Sequence, residues 1–141
     1  MFCIKLKSVT TNTFSIPLDF NSSPSFVLDP LPKYDVSFKT ILLPHVLRFN
    51  GKVCPELFEN MGRAFNLDMD NLNEEETVEK VVSAIQELSI KLRIPQTLKE
   101  VGIPKEMIPQ LAAQALNDVC TPGNPREVTI DDLISIYESA Y

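Results

Sequence analysis

Apolar residues recur at helical spacing through the second half of this chain, and that period decides what it can fold into. Between Glu74 and Lys91, Val78, Val81, Val82, Ile85 and Leu88 share one stripe with Leu92 just beyond. Glu76 with Lys80 and Glu87 with Lys91 are i,i+4 pairs that support its wet face. Asn73 ahead of the run, with Glu76 three residues on, has the form of a capping box. The stripe returns in Ile108, Leu111, Ala115, Leu116 and Val119, and again in Ile130, Leu133, Ile134 and Tyr137. Thr129 with Asp132 predicts the N-cap of the last helix, and Gly102, Pro104 and Pro122-Gly123-Asn124-Pro125 punctuate the connections. Two shorter helices are expected at roughly 39 to 49 and 55 to 65. Stripes joined by connections too short for long crossovers must bury against one another, so the expected fold is mainly α, an antiparallel helical bundle.

The chain ahead of residue 38 reads differently. Phe2, Ile4 and Leu6 alternate with Cys3, Lys5 and Lys7, and Phe14, Ile16, Leu18 and Phe20 repeat the alternation. Period two predicts short strands, a hairpin at most, with Pro17 confining the second run to an edge. Pro30-Leu31-Pro32 predicts an extended connection. We therefore divide the chain into an N-terminal segment, residues 1–38, and a helical domain, residues 39–141.

At 141 residues the chain is long enough to bury a core without staples. Its net charge of -6 argues against a broad electrostatic grip on nucleic acid or anionic lipid, both of which require clustered Lys and Arg. No stretch approaches the roughly 18 apolar residues of a membrane span, and the N-terminus has no long apolar run. Cys3, Cys54 and Cys120, odd in number and widely spaced, fit reduced thiols better than a disulfide framework or zinc site. A cytoplasmic location is the expectation from these features.

Several motifs carry a resemblance. Ile41-Leu42-Leu43-Pro44-His45-Val46-Leu47-Arg48-Phe49-Asn50 is one, and Asp118-Val119-Cys120-Thr121-Pro122-Gly123-Asn124-Pro125-Arg126-Glu127 is another. Between them Phe65-Asn66-Leu67, Ile94-Pro95, Glu100-Val101-Gly102-Ile103 and Ala115-Leu116-Asn117-Asp118 follow in order. From about Thr40 to Tyr141 the chain resembles the C-terminal helical domain of the iron-dependent (group III) alcohol dehydrogenases, in their lactaldehyde reductase branch. The resemblance implies a partial dehydroquinate synthase-like α domain. Family members use Fe2+ and NAD(P): an N-terminal α/β domain binds the nicotinamide cofactor, and the helical domain gives an Asp and three His to the iron.

Most of that machinery has no counterpart here. Four glycines, none adjacent, leave no Gly-rich phosphate turn, so no cofactor-binding residue is assigned. The single histidine, His45, stands in Leu-Pro-His-Val, whose His is not a ligand in the family, and Ser37-Phe38-Lys39 stand near where the family's last ligand falls. No metal ligand and no catalytic residue is therefore assigned, and His45 is read as packing at a helix turn. By resemblance Cys120 falls on a position near the substrate and nicotinamide pocket; the plainer reading is a semi-buried Cys at a helix end. Asn124-Pro125-Arg126 is read as shaping the turn into the last helix. Glu74-Glu75-Glu76 and Asp68 with Asp70 are read as solvated, the glutamates favouring a helix start.

Two functions follow. The first is a truncated, lactaldehyde reductase-like helical domain that is not catalytic alone and binds no cofactor by itself. The second is an NAD-dependent, metal-dependent oxidoreductase component that works with another chain supplying the cofactor domain and ligands. Either leaves an apolar face for self-association or a partner chain.

Overall fold

The computed structural model describes residues 35–141. The alternating runs at Phe2 to Leu6 and Phe14 to Phe20, the hairpin expected of them, and Cys3 lie outside the described residues. Those described form a helical bundle, with no strand among them. Its helices are α1 (Asp35–Gly51), α2 (Pro55–Ala64), α3 (Glu74–Lys91), α4 (Ile108–Leu116) and α5 (Ile130–Ser139). Short 3-10 turns at Lys105–Met107 and Thr121–Gly123 complete the connections.

Helix α1 is the axis of the bundle. It packs against α3 on one side and α5 on the other, while α2 covers α3 and α4 covers α5. From Phe38 to Gly51 no residue of α1 is exposed, Pro44 included. A helix shielded on every side needs no polar face, which explains why this segment is apolar or neutral around most of its circumference. Ile41 and Leu42 enter a core with Leu98, Ile108, Ala112, Leu133 and Tyr137. Leu47 enters a second core with Phe58, Met69, Val78, Val81 and Val82. Leu98, Val81 and Val82 are fully buried, each burial being worth about 1.5–3 kcal/mol.

Both sequence-level caps form. Asn73 accepts from the Glu76 N–H at 2.9 Å and Glu76 accepts from the Asn73 N–H at 2.9 Å. The Thr129 hydroxyl accepts from the Asp132 N–H at 3.2 Å, and the Asp132 carboxylate from the Thr129 N–H at 3.0 Å. Pro55 opens α2, where its missing N–H costs nothing.

The helix ends depart from expectation. Beyond α2, Asn66 adopts φ 57°, with the Asn66 N–H donating to the Arg63 carbonyl and Leu67 N–H to the Gly62 carbonyl. Beyond α3, Arg93 takes φ 56°, and the same two bonds run from Arg93 to Ile90 and from Ile94 to Ser89. These are Schellman closures built on non-glycine residues.

Four residues expected on buried stripes are exposed: Leu88, Leu92, Leu116 and Val119, the last 92% so. The buried face of α3 runs through Val78, Val81, Val82 and Ser89. Leu88 sits one residue, about 100°, away from Ser89 on the helix wheel, and Leu92 is past the last turn. Ser89 takes the buried position because its hydroxyl is satisfied, donating to the Gln86 carbonyl at 2.8 Å and meeting Gln96 Oε1 at 3.0 Å. Helix α4 stops at Leu116, where the Asn117 amide donates to the Ala113 carbonyl at 2.9 Å, so Val119 lies beyond the helix.

Candidate functional site

The loop from Asn117 to Thr129 joins α4 to α5 and holds most of the residues that the sequence singled out. Asp118 Oδ1 accepts from the Cys120 N–H at 2.7 Å, a contact that holds the Asp118 carboxyl below its usual range. Cys120 is half-buried and precedes the 3-10 turn, whose Thr121 donates its hydroxyl to the Ala115 carbonyl at 2.6 Å. Asn124 and Arg126 fasten this loop to α1. Asn124 and Asn50 exchange amide hydrogen bonds of 2.9 and 3.0 Å, and the Asn124 amide also donates to the Arg126 carbonyl at 2.9 Å. The Arg126 guanidinium lies 3.9 Å from the Phe49 ring centroid and donates to the Phe49 carbonyl at 3.3 Å.

Two clefts flank the meeting of α1 and α5, and Phe49 and Ile136 line both. The first, about 270 Å³, opens between α1, α4 and α5. Its walls are chiefly apolar, with Lys39, Gln114, Asp118, Asn124 and Tyr137 as polar groups. Burial, and then the nearby Asp118 charge, push the Tyr137 phenol up to about 12, so it is a neutral hydroxyl at physiological pH. The Phe38 ring stacks at a tilt against it, centroids 6.2 Å apart. Cys120 does not line this cleft, although Asp118 and Asn124 on either side of it do.

The second cleft, about 310 Å³, contains His45, Arg48, Lys52, Arg126, Asp132, Ser135 and Ser139. Burial, reinforced by the Arg48 charge, holds the half-buried His45 imidazole below its ordinary value. Arg48 is itself held by Glu79, Nε to Oε1 2.7 Å, and donates to Gln86 at 3.2 Å. The structure places His45 within α1, half-buried at the cleft wall, in cationic surroundings that the reading as packing at a helix turn did not include. The i, i+3, i+7 spacing of His45, Arg48 and Lys52 was the signal for it.

The donors do not fit an iron site. No group of three His, Cys, Asp or Glu side chains converges among the described residues. The one imidazole stands beside Arg48, whose charge repels a cation. Of the acidic residues weighed earlier, Glu74, Glu75 and Glu76 occupy the first turn of α3, and Asp68 accepts the Asp70 N–H at 3.1 Å across a turn.

The model of the Fe-containing alcohol dehydrogenase family, C-terminal region, matches residues 37–141. The chain belongs to the Fe-containing alcohol dehydrogenase family. It is 41% identical over 101 residues to a lactaldehyde reductase of Escherichia coli (strain K12), covering 72% of this chain and 26% of that protein. It is 35% identical over 105 residues to an NADPH-dependent butanol dehydrogenase of Clostridium saccharobutylicum, with the same coverage. The fold matches a crystal structure of 1,3-propanediol oxidoreductase at a TM-score of 0.71 and 30% identity, over 74% of this chain and 28% of that one. An alcohol dehydrogenase from Oenococcus oeni matches equally well, over 27% of its length. This Fe-containing alcohol dehydrogenase segment spans about a quarter of the relatives it matches. Among its described residues, no helix is long and apolar enough to cross a membrane.

Proposed function

We propose that these residues form the helical wall of a lactaldehyde reductase-like oxidoreductase. On this reading they do not turn over substrate or bind iron or nicotinamide by themselves. On it the metal ligands and the nucleotide-binding domain come from outside these residues; the alternative is an alcohol or aldehyde oxidoreductase component whose cofactor domain and ligands another chain supplies. The observation that carries the reading is the histidine count: one imidazole, set beside Arg48, against the three that the family's iron site uses. A cytoplasmic location goes with this reading, since three widely spaced cysteines fit a reducing compartment.

Exposed apolar residues support a partner. Val53, Leu57, Phe65, Leu88, Ile90 and Leu92 each keep more than two-fifths of their surface accessible. Isolated surface leucines are ordinary, but six on α2, α3 and their flanks give a partner or a second copy apolar area to cover. Sedimentation of the purified chain is expected to show self-association, together with binding of a hydrophobic dye. A monomer that binds no dye argues against a covered face.

Catalysis is tested by anaerobic oxidation of NADH with lactaldehyde and added ferrous ion, against a metal-free control. The expected result from the cooperatively folded chain is no turnover. Metal-dependent turnover by the chain alone overturns the reading.

A further inference from the structure

The groove between α1 and α5 gathers positive charge in a chain whose net charge is -6. His45 and Arg48 lie on one face of α1, Lys52 follows in the turn just past its end, Arg126 arrives from the loop, and Ser135 and Ser139 stand on α5. Three permanent cations line the groove with one carboxylate, Asp132, and Arg48 is also paired with Glu79 at 2.7 Å, which leaves a net excess of one positive charge centred on Lys52 and Arg126. The Asp132 carboxylate is committed to the helix cap, accepting the Thr129 N–H at 3.0 Å and the Thr129 hydroxyl at 2.6 Å.

Two of the cations are already in place. Arg126 is stacked on Phe49 and anchored to its carbonyl through one N–H, which leaves most of the five guanidinium donors unspent. Arg48 is fixed by Glu79 and Gln86. Donors held before a ligand arrives lose little entropy on binding it. The Ser139 hydroxyl is spent on the Ser135 carbonyl at 2.7 Å, so the Ser135 hydroxyl is the one that stands beside the cationic donors. That set suits an acceptor with oxygens pointing several ways, which a tetrahedral phosphate has and a planar carboxylate lacks.

We propose that the groove formed by His45, Arg48, Lys52, Arg126, Ser135 and Ser139 binds a small phosphate-class oxyanion, free or carried on a nucleotide. The inference is independent of the proposed catalytic role. The global negative charge excludes a broad polyanion surface but not a local site of this size.

The single histidine makes the test direct, because its Cε1–H resonance in the full chain needs no assignment. Inorganic phosphate, adenosine monophosphate, adenosine and sodium chloride are titrated separately at fixed ionic strength. The expected result is a saturable shift with phosphate or with the monophosphate, none with adenosine or chloride, and a rise in the His45 titration midpoint when the anion binds. Lys52→Glu should weaken binding about tenfold or more. Arg63→Glu, the same charge change on α2, should leave binding unchanged. Lys52→Gln repeats the measurement should the charge reversal disturb folding. Tighter binding of the monophosphate identifies a phosphate carried on a larger molecule as the ligand; tighter binding of inorganic phosphate identifies the free ion. A non-saturable shift, a shift with chloride or adenosine alone, or equal weakening by Lys52→Glu and Arg63→Glu overturns the proposal.

Discussion

Asn50 and Asn124 exchange two amide hydrogen bonds, of 3.0 and 2.9 Å, across 74 residues of sequence. This pair fixes the C-terminal end of α1 to the loop that leads into α5, and Asn124 lines the first cleft. Asn50 is buried, so without Asn124 its amide becomes a desolvated polar group, whereas the half-buried Asn124 keeps its bond to the Arg126 carbonyl.

Asn50→Leu is expected to destabilise the fold by about 0.5–1.5 kcal/mol, since it removes the exchanged bonds while the half-buried Asn124 amide keeps the Arg126 carbonyl. The double variant Asn50→Leu with Asn124→Leu should cost less than the sum of the two singles, because it removes the buried Asn50 amide that Asn124→Leu alone would strand. Urea unfolding of the four proteins completes the cycle. Strict additivity would mean that the pair contributes no coupling.

Gly51 and Gly62 test how rigid the second core is. A Cβ on Gly51 would meet both methyl groups of Val78 at 2.6 Å, and Val78 is buried with a stiff β-branched side chain. Gly51→Ala should therefore destabilise by about 1–3 kcal/mol. At Gly62 the three atoms nearest an added methyl are the Met69 Sδ, Cε and Cγ, on an unbranched side chain with rotatable bonds to withdraw, and alanine is the better helix former by about 1 kcal/mol. Gly62→Ala is expected near neutral, and unfolding midpoints that reverse this order would contradict the assigned packing.

The comparison of sequence and structure turns on where periodicity carries information. The stripes of α3 and α5, with the cap pairs Asn73–Glu76 and Thr129–Asp132, were legible because amphipathic spacing and capping chemistry are local. Helix α1 was bounded too narrowly, since a helix buried on both faces has no polar side to mark its extent. The closures at Asn66 and Arg93 gave no glycine signal; at Arg93 the bonds to the Ile90 and Ser89 carbonyls offset a conformation that costs about 1–2 kcal/mol. The Asn50–Asn124 pair and the Arg126–Phe49 stack join residues more than seventy apart, so no local pattern announces them. The Asn-Pro-Arg motif was read as shaping the turn; its side chains also clamp that turn to α1.

Leu98 extends the same lesson to the core. It lies in the turn between α3 and α4, yet it is fully buried, and its N–H donates to the Ala140 carbonyl at 2.8 Å. Leu98→Ala should cost about 2–5 kcal/mol by opening a cavity beneath the C-terminus of α5. Chemical denaturation measures the loss, and hydrogen exchange should locate it in α5 rather than α2. A cost below about 1 kcal/mol would show that the site collapses on the void.

His45 gives the fold a pH dependence whose sign is fixed by its surroundings. Burial, and secondarily Arg48, hold the folded-state imidazole below its ordinary 6.5. The unfolded chain therefore takes up the proton first as pH falls, and the resulting stability loss begins near the unfolded value and continues until the folded value is passed. Above the unfolded value the imidazole is neutral in both states and this contribution is complete. Urea midpoints measured between about pH 8 and pH 5 should fall with acidity through this window. His45→Gln should flatten the fall, because glutamine does not titrate. Asp118 and Asp132, both held below their usual 3.8, add a second loss at lower pH that the variant retains. A wild-type midpoint that rises as pH drops through the histidine window would mean that the imidazole is stabilised in its charged form, contrary to its position beside Arg48.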